Sequence, residues 1–492
     1  MTSSKPTSYS FTVPLSYSVK KLLGKGTYGV VCAAVHETTK EKVAIKKIAD
    51  AFLHTNDMRS SLRELRILTR IKHDNIITCK DIFKPESFES WKDLYWVSEL
   101  MDSDLHRILS STQPLAEEHI QFFLYQTVCG LRYLHSAGIM HRDLKPANLL
   151  VNRNCDLKIC DLGLACAFSD DNPRDHNFYV QTRWYRAPEL LIGNSNYDYR
   201  IDIWSLGICF AEMYTRKPVF RGSNYMDQLK LYYSVLVPPT AQEINLAEKK
   251  KAREFIAQLP PPKYTLASFF KAQGVEISAD GLNLLNRMLQ FDPAKRITLD
   301  EMLRHPYLLG FAGTGEESLY QPPQVINTPQ GPSQTSTQNA KCGVVLTRPL
   351  GNSDYCPTPS LRFDYEDRIP KSTLKHLIFQ EMLLFHTPTS IPQLPILPAT
   401  SNPPSNLSSN LVSPNAQPVH QTVTNRTKSA TLTKCKSEIG TVRTSGSQSL
   451  RPSRTSRAEK SSKTKTSDPL KTQPASFPFR ATVHVTQKAM GP

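Results

Sequence analysis

The segment "HRDLKPANLL", from His141 to Leu150, brings three different polar side chains into one short span. Asp143 is able to accept a proton, Lys145 to neutralise developing negative charge, and Asn148 to bind a hard cation such as Mg²⁺. The apolar stretches "GIM" and "LLV" on either side favour a structured loop, although a solvated loop is the simpler alternative. The combination predicts proton transfer next to a metal-bound phosphate.

A second acidic residue, Asp161 in "KICDLGLA", follows an apolar strand and lies just ahead of a glycine. A carboxylate at this position could bridge Mg²⁺ to the β and γ phosphates of a nucleotide. Glu189 in "RAPEL" is expected instead to pair inside the protein with Arg296 of "DPAKRIT". The sequence therefore predicts a chemical role for Asp161 and a structural role for Glu189.

A glycine-rich stretch, "GKGTYG", precedes both segments. Gly24, Gly26 and Gly29 could let backbone N–H groups approach phosphates, although such a turn is more often only a hairpin. The following "VAIKKI" strengthens the first interpretation, because it places Lys46 on the next strand, where Glu64 on a helix could orient it toward the phosphates. A surface Lys–Glu pair is the alternative for these last two residues.

Two kinds of periodicity predict the elements that position these side chains. Residues 16–110 alternate apolar and polar positions, as in "VVCAAVHE" and "DLYWVSEL", which predicts a small antiparallel sheet interrupted by one helix, "RSSLRELRILTRI". From about 115 to 310 helical patterns dominate, and "EEHIQFFLYQTVCGLRYLHSAG" has Gly138 as its expected C-cap. The sequence thus predicts an α+β protein with a sheet-rich lobe, a helix-rich lobe and a cleft between them.

Changes in composition divide the chain into five segments. We expect an N-terminal extension at 1–15, a catalytic domain at 16–310, a flexible linker at 311–360, a return segment at 361–386 that packs on the catalytic domain, and a disordered basic tail at 387–492. Ser372 or Thr373 is predicted to cap a helix in the return segment. Its apolar face is predicted to consist of Leu374, Leu377, Ile378 and Phe385.

Bulk composition limits the class of protein. The 492 residues carry a net charge of +16, of which residues 401–492, with 14 Lys+Arg and 3 Asp+Glu, contribute +11. The cysteines lack metal-ligand spacing, and neither a secretory leader nor an apolar run of bilayer length is found, so we expect a soluble, intracellular protein with reduced thiols. The basic tail could attract anionic partners, but it lacks interleaved aromatic residues, which favours a phosphorylatable spacer without direct nucleic-acid binding.

Taken in order, these motifs resemble the signature set of eukaryotic protein kinases over about residues 16–310. "RWYRAPELL" and the long insert at roughly 222–275 resemble the CMGC group. The mitogen-activated protein kinase family is the most similar, because its members carry Thr-x-Tyr before "VATRWYRAPE" and a return segment like 361–386. "HDNIITCKDI" and "LHSAGIMHRDLKPANLL" are similar to the fungal cell-wall-integrity and sporulation branches.

The resemblance implies the bilobal protein-kinase fold and transfer of the γ-phosphoryl group of ATP, with Mg²⁺ as cofactor, to serine or threonine. It implies catalytic roles for Asp143, Lys145 and Lys46, metal ligation by Asn148 and Asp161, and nucleotide contacts from Gly24, Lys25, Gly26, Gly29, Lys46, Glu64, Glu99 and Met101. Ser98 occupies the gatekeeper position, where a small side chain is expected to leave the rear of the pocket open.

The family's activation segment corresponds to residues 161–189, and Tyr179 corresponds to its phosphorylated tyrosine. A phosphate on this residue could dock on Arg183 and Arg186 and order the segment, whereas a buried, hydrogen-bonded tyrosine is the alternative. The threonine of the family's pair is replaced by Asn177, which cannot be phosphorylated.

A second departure concerns the same regulatory pocket. Cys166 in "DLGLAC" stands where the family has an arginine that helps to hold the phosphothreonine, while Arg63 and Arg142, the other two expected phosphate ligands, remain. Loss of the phosphate and of one ligand predicts activation through Tyr179 alone, or activity set by autophosphorylation and partners. Leu162 replaces the family's phenylalanine and is expected to be tolerated as an apolar plug.

The resemblance also implies partners: protein substrates with Ser/Thr-Pro sites, an upstream MAP kinase kinase or autophosphorylation, and phosphatases. Glu316 and Glu317 correspond to an acidic docking patch, which is expected to be weakened because Gly313 stands where an acidic group is usual. We expect a monomer in the cytoplasm and nucleus, without a membrane span. Asn177, Cys166 and Leu162 keep a pseudokinase scaffold as the alternative, whereas a metabolic ATP-dependent enzyme would not explain "RWYRAPEL".

Overall fold

The structure is a computed structural model that describes residues 8–26, 29–167, 183–313, 369–387 and 480–486. Its sheet lobe contains one long helix and six strands: β1 (Ser8–Pro14), β2 (Tyr17–Lys25), β3 (Val30–His36), β4 (Lys42–Ile48), α1 (Thr55–Leu68), β5 (Cys79–Ile82) and β6 (Leu94–Glu99). Five of these strands form an antiparallel sheet in the order β2-β3-β4-β6-β5. The predicted sheet with one helix is therefore present.

The alternation of β4 explains how this sheet serves a cleft. Val43 and Ile45 are buried in a cluster on the outer face of the sheet, whereas Ala44 and Lys46 line the cleft on the inner face. Successive side chains of a strand point to opposite faces, so one short sequence supplies both a core and a site.

The helical lobe carries most of the remaining elements. They are β7 (Ser103–Asp104), α2 (Leu105–Ser110), α3 (Glu117–Ser136), β8 (Ile139–Met140), β9 (Leu149–Val151), β10 (Leu157–Ile159), β11 (Cys166–Ala167), α4 (Pro188–Leu191), α5 (Arg200–Thr215), α6 (Tyr225–Tyr233), α7 (Ala241–Ile244), α8 (Lys250–Ala257), α9 (Leu266–Ala272), α10 (Ala279–Met288) and α11 (Leu299–Leu303). Helix α3 ends before Gly138, whose φ of 72° is the left-handed conformation expected of a glycine after a helix. The α+β architecture with two lobes is confirmed.

Two small sheets hold the segments in which the motifs lie. β9 pairs with β10 and β7, and β8 pairs with β11. The short hairpin β9–β10 lies between the turn that ends at Asn148 and the segment that begins at Cys160, and the backbone N–H of Cys160 donates to the carbonyl of Asn148 at 3.0 Å. The two predicted metal ligands are thus held on adjoining backbone segments.

The return segment forms α12 (Lys371–His386), which packs against α1. The predicted cap is wrong: Pro370 is the N-cap residue, and neither Ser372 nor Thr373 caps the helix. A proline with its fixed φ suits a helix start, because the first amide groups have no intrahelical partner. The predicted apolar face is confirmed, since Leu374 and Ile378 are buried and Leu377 and Phe385 are partly buried against the core. Glu381 and Met382 are buried as well.

Two strands outside residues 16–310 pair with each other. A strand near the C-terminus, β12 (Arg480–Thr486), pairs antiparallel with β1 along seven residues. The expectation of a disordered tail over all of 387–492 is therefore wrong at 480–486, and residues 1–15 contain a strand rather than only an extension. The alternation "ATVHVT" is the local signal that composition alone obscured.

Two expectations drawn from bulk composition, on membrane-spanning segments and on cysteine thiols, concern the described residues. Among them, no helix has the length and apolar character that crossing a bilayer requires. The cysteines in this part of the chain are free thiols: Cys32, Cys79, Cys129, Cys155, Cys160, Cys166 and Cys209.

Candidate active site

A buried ion pair joins the sheet to α1. The Nζ of Lys46 on β4 donates to both carboxylate oxygens of Glu64, at 2.8 and 2.9 Å, and lies 4.7 Å from the ring centroid of Trp96. Burial opposes the charge of Lys46, but the carboxylates of Glu64 and Asp161 outweigh it and raise the pKa of the ammonium group. Lys46 is therefore a fixed positive charge at the base of the cleft.

Asp161 contributes negative charge at the same place. Its Oδ1 lies 3.8 Å from the Nζ of Lys46, and its backbone has a φ of 64°, a left-handed conformation that is uncommon for a residue with a side chain. Leu162 follows and is completely buried, in agreement with its predicted role as an apolar plug. The strained backbone is consistent with a functional position.

The catalytic-loop motif folds as three converging side chains. Lys145 donates to the Oδ2 of Asp143 at 2.7 Å, and the amide nitrogen of Asn148 donates to the Asp143 carbonyl at 2.8 Å. Burial raises the pKa of Asp143, while Lys145 opposes this shift. The structure thus brings together the proton acceptor, the cation and the amide that the sequence predicts.

Asp202 on α5 fixes this loop, and sequence reasoning did not identify it. Its completely buried carboxylate accepts the backbone N–H groups of His141 and Arg142, each at 2.8 Å, and contacts the Nε2 of His135 at 3.0 Å. Burial opposes the charge of Asp202, but its contacts with His135 and the Arg142 amide outweigh this effect and lower its pKa. An acidic residue inside the apolar helix "RIDIWSLGICF" was the available signal.

The predicted nucleotide contacts surround one cavity of about 480 Å³ between the lobes. Its walls include Gly24, Lys25, Gly26, Gly29, Lys46, Glu64, Ser98, Glu99, Met101, Lys145, Asn148 and Asp161. Gly29 must lack a side chain, because a Cβ atom would lie 2.5 Å from the carbonyl oxygen of Lys47. The cavity reaches Leu68 and Ile77 behind Ser98, which is consistent with the predicted open rear pocket.

Glu99 has a second contact that the resemblance did not suggest. Its carboxylate accepts the backbone N–H of Thr78 at 3.0 Å and lies 3.3 Å from the Nζ of Lys158. The side chain therefore links the sheet lobe to the helical lobe, and residues 99–101 line the cavity.

Asn148 and Asp161 fit a magnesium site in their chemistry. The amide nitrogen of Asn148 donates to the carbonyl of Asp143, so the amide oxygen of Asn148 is the atom that can serve as a metal ligand. Asp161 adds a carboxylate in the same cavity. Mg²⁺ prefers such oxygen ligands and is commonly bound by one or two protein groups together with nucleotide phosphates and water. Within the described residues, no cluster of three His, Cys, Asp or Glu side chains forms a separate metal site.

The arginines predicted to bind phosphate separate into two places. Arg183 and Arg186 both approach the ring of Tyr225, at 5.8 and 5.6 Å, and Arg186 also donates to the hydroxyl of this tyrosine at 3.1 Å. Arg142, by contrast, donates to the hydroxyl of Tyr197 at 3.2 Å. Tyr179 and Asn177 lie outside the described residues, as do Glu316 and Glu317 of the predicted docking patch.

The predicted structural pair is present. Arg296 donates to both carboxylate oxygens of Glu189, at 2.6 and 2.7 Å, and both residues are buried. This bidentate ion pair anchors the end of "RAPEL" to the helical lobe.

The rear of α1 carries an ion cluster that sequence reasoning also missed. Glu381 on α12 is buried and accepts from the Nε of Arg66 at 2.8 Å, while its other oxygen lies 2.8 Å from Arg70. Because Glu64 lies on the same helix, this cluster helps to position the partner of Lys46.

The fold and the cleft define a protein kinase, and residues 17–308 match the protein kinase domain family. An extracellular signal-regulated kinase 1 of Dictyostelium discoideum is 41% identical over 422 residues, covering 84% of this chain and 72% of that protein. Mitogen-activated protein kinase 7 of Arabidopsis thaliana is 47% identical over 305 residues, covering 62% and 82% respectively. Mitogen-activated protein kinase 13 of the same plant is 41% identical over 364 residues, covering 74% and 89%.

The chain belongs to the mitogen-activated protein kinase family, in the CMGC group, and is a serine/threonine protein kinase. The family resemblance inferred from the motifs is confirmed. The similarity to fungal branches stays a prediction.

Proposed function

We propose that this kinase transfers the γ-phosphoryl group of Mg²⁺-bound ATP to Ser/Thr-Pro sites within a MAP kinase cascade, with Tyr179 phosphorylation as its loop switch. The observation that carries the proposal is that Lys46, Glu64 and Asp161 converge on the same cavity as Lys145 and Asn148. Positioning and electrostatics provide most of the catalysis in phosphoryl transfer, and these groups supply both.

Each residue of the cleft has one role in this reaction. Lys46 binds the α and β phosphates and is kept in place by Glu64, while Asn148 and Asp161 hold Mg²⁺, which supplies neutralisation of phosphate charge. Asp143 orients the substrate hydroxyl and accepts its proton. Lys145, 2.7 Å from Asp143, neutralises charge on the transferred group.

Regulation is proposed to depend on Tyr179 without a threonine partner. Arg183 and Arg186 lie together around Tyr225, which supports a two-guanidinium site for a phosphotyrosine at Tyr179, four and seven residues before them in sequence. Asn177 cannot carry a phosphate, so the second site of the family's pair is lost.

A catalytically inactive scaffold is the second candidate, and three departures from the family pattern favour it: Asn177, Cys166 and Leu162. The short Lys46–Glu64 contact supports the active enzyme, because a kinase that only binds partners does not need this pair.

We further propose protein partners of the MAP kinase kinase and phosphatase classes, weakened docking at Glu316 and Glu317, and residence in cytoplasm and nucleus.

The test is phosphate transfer to a Ser-Pro peptide by the full chain, compared with the same peptide carrying alanine after serine. We expect activity on the first peptide, at least tenfold less on the second, and a strong loss in a Tyr179→Phe variant. Mass spectrometry of the active protein should detect phosphate on Tyr179. Equal activity on both peptides would refute the proline preference, and an essential phosphothreonine in 166–182 would refute the tyrosine switch.

A further inference from the structure

One edge of the strand β1 is paired with β12, a strand from the C-terminal region of the sequence. In the described part of the chain, β1 pairs with no strand other than β12, and the register runs from Ser8 opposite Thr486 to Pro14 opposite Arg480. Both strands lie outside residues 17–308, the region that matches the kinase family. The pairing is therefore an addition to the kinase domain.

The other edge of β1 is bound by side chains of the main sheet. The backbone N–H of Thr12 donates to the hydroxyl of Tyr95 at 3.2 Å, and the carbonyl of Ser10 accepts from the Nζ of Lys47 at 2.8 Å. Because alternate residues of a strand direct their backbone groups to opposite edges, those of residues 9, 11 and 13 point toward β12. An edge strand with unpaired backbone groups is a template for another strand.

The side chains of β12 suit this position. Phe11 and Val13 of β1 are completely buried, and Val485 of β12 packs against the same cluster. Val483 lies opposite Phe11 and is half-buried, whereas Thr482 and His484 are exposed. The strand thus has an apolar face toward the kinase and a polar face toward water, as an added edge strand requires.

We propose that the edge of β1 is a strand-addition site, and that its occupant is residues 480–486 of the same chain. Affinity comes from the backbone ladder, and selectivity comes from valines at alternate positions. Attachment through residues 388–479 makes the binding intramolecular, so even a weak strand interaction is populated at a high effective concentration. Residues 480–486 are thereby held on the outer face of the sheet that carries Lys46.

The first test is hydrogen–deuterium exchange of the full chain in a Val483→Asp/Val485→Asp variant. We expect exchange in the peptide covering residues 8–14 to become at least about tenfold faster, because charges on the buried face oppose pairing. The matched control is Thr482→Asp/His484→Asp, which adds the same charges to the exposed face and should leave exchange within twofold of the original protein. Equal exchange in the two variants would overturn the proposal.

A second test does not depend on destabilising the strand. The Oγ atoms of Thr12 and Thr482 lie 3.1 Å apart, so a Thr12→Cys/Thr482→Cys protein should form an intramolecular disulfide, identified by peptide mapping. The control, Ser8→Cys/Thr482→Cys, is four residues out of register and places the cysteines about 13 Å apart. Equal yields in the two proteins, or a bridge formed only between two chains, would contradict an intramolecular strand.

A third arm tests the site itself. A synthetic peptide of residues 478–488 should restore slow exchange of residues 8–14 when added to the Val483→Asp/Val485→Asp protein. The same peptide with both valines changed to aspartate should not. Absence of protection by the first peptide at millimolar concentration would overturn the strand-addition site. These readouts do not use kinase activity, so they are independent of the proposed reaction.

Discussion

Adjacent residues of α1 serve two regions that, by the resemblance of the motifs, are predicted to differ in how completely they match the family. Glu64 faces the nucleotide cleft, where it contacts Lys46 at 2.8 Å. Arg63, which the resemblance assigns to the regulatory pocket, donates to the carbonyl of Gly163 at 3.0 Å, and Cys166 is predicted to stand there in place of a third guanidinium. The cleft contains the charged groups that the sequence predicts, whereas the resemblance predicts a pocket that lacks both the phosphate-accepting threonine and one arginine ligand.

If this prediction holds, α1 must be positioned by contacts other than those of a phosphothreonine. On its rear face, Arg66 and Arg70 both contact the buried carboxylate of Glu381 on α12. This cluster is formed by the chain itself and needs no modification. We infer that α12 takes over part of the positioning that the altered pocket cannot supply.

The largest effect is expected from removing the proton acceptor of the cleft. Asp143→Asn should lower kcat by about 10²–10⁴-fold, because general-base assistance contributes this much, while the melting temperature stays near that of the original protein. Steady-state phosphate transfer and a thermal melt measure the two quantities. Asp156→Asn, at an exposed carboxylate outside the cleft, is the control, and similar activities of the two variants would contradict the role of Asp143.

The rear cluster is the next most sensitive point. Glu381→Ala leaves Arg66 and Arg70 without their carboxylate, and breaking a buried ion pair in this way typically costs about 3–5 kcal/mol. We expect urea unfolding to show a loss of this order, together with reduced activity because Glu64 is less well held. The control Gln380→Ala, on the exposed side of α12, should change neither stability nor activity. Full activity in Glu381→Ala would show that α12 does not help to position the catalytic residues of the cleft.

The pH dependence sharpens the description of the cleft. Burial raises the pKa of Asp143 above the ordinary 3.8, so activity that needs its ionised form should fall as the pH drops through this raised value. Lys145 lowers the pKa of Asp143, and Lys145→Ala should therefore move the acid limb of kcat/KM to higher pH. An acid limb that stays in place or moves to lower pH would show that another group titrates.

Restoring the regulatory pocket is expected to have the smallest effect. Asn177→Thr alone or Cys166→Arg alone should change activity less than twofold, because each restores only half of the interaction. The double variant should gain about fivefold when the threonine is phosphorylated, as a charge-assisted contact is formed. Phosphate-site mapping and kinetics measure this. A full gain in activity from Asn177→Thr alone would show that the Cys166→Arg change is not needed.

Much of the candidate site could be predicted because its chemistry is local in sequence. Asp143, Lys145 and Asn148 lie within one turn and loop, and the structure joins them by short hydrogen bonds. The pairing of Lys46 with Glu64 was also predictable, since a strand and the helix that follows it are commonly neighbours. The cap of α12 was predicted wrongly, because serine and threonine are common N-caps but Pro370 begins this helix.

The sequence alone predicted the sheet and helical lobes and the residues of the cleft, because residue type and periodicity report local conformation and chemistry directly. The two departures from the family were predicted from the resemblance of the motifs. Only the tertiary structure revealed that Asp202 holds the catalytic loop, that Glu381 meets Arg66 across 315 positions and that β12 completes β1. Such contacts depend on which surfaces meet after the chain folds, and a local pattern does not record the partner of a distant charge or of a strand edge.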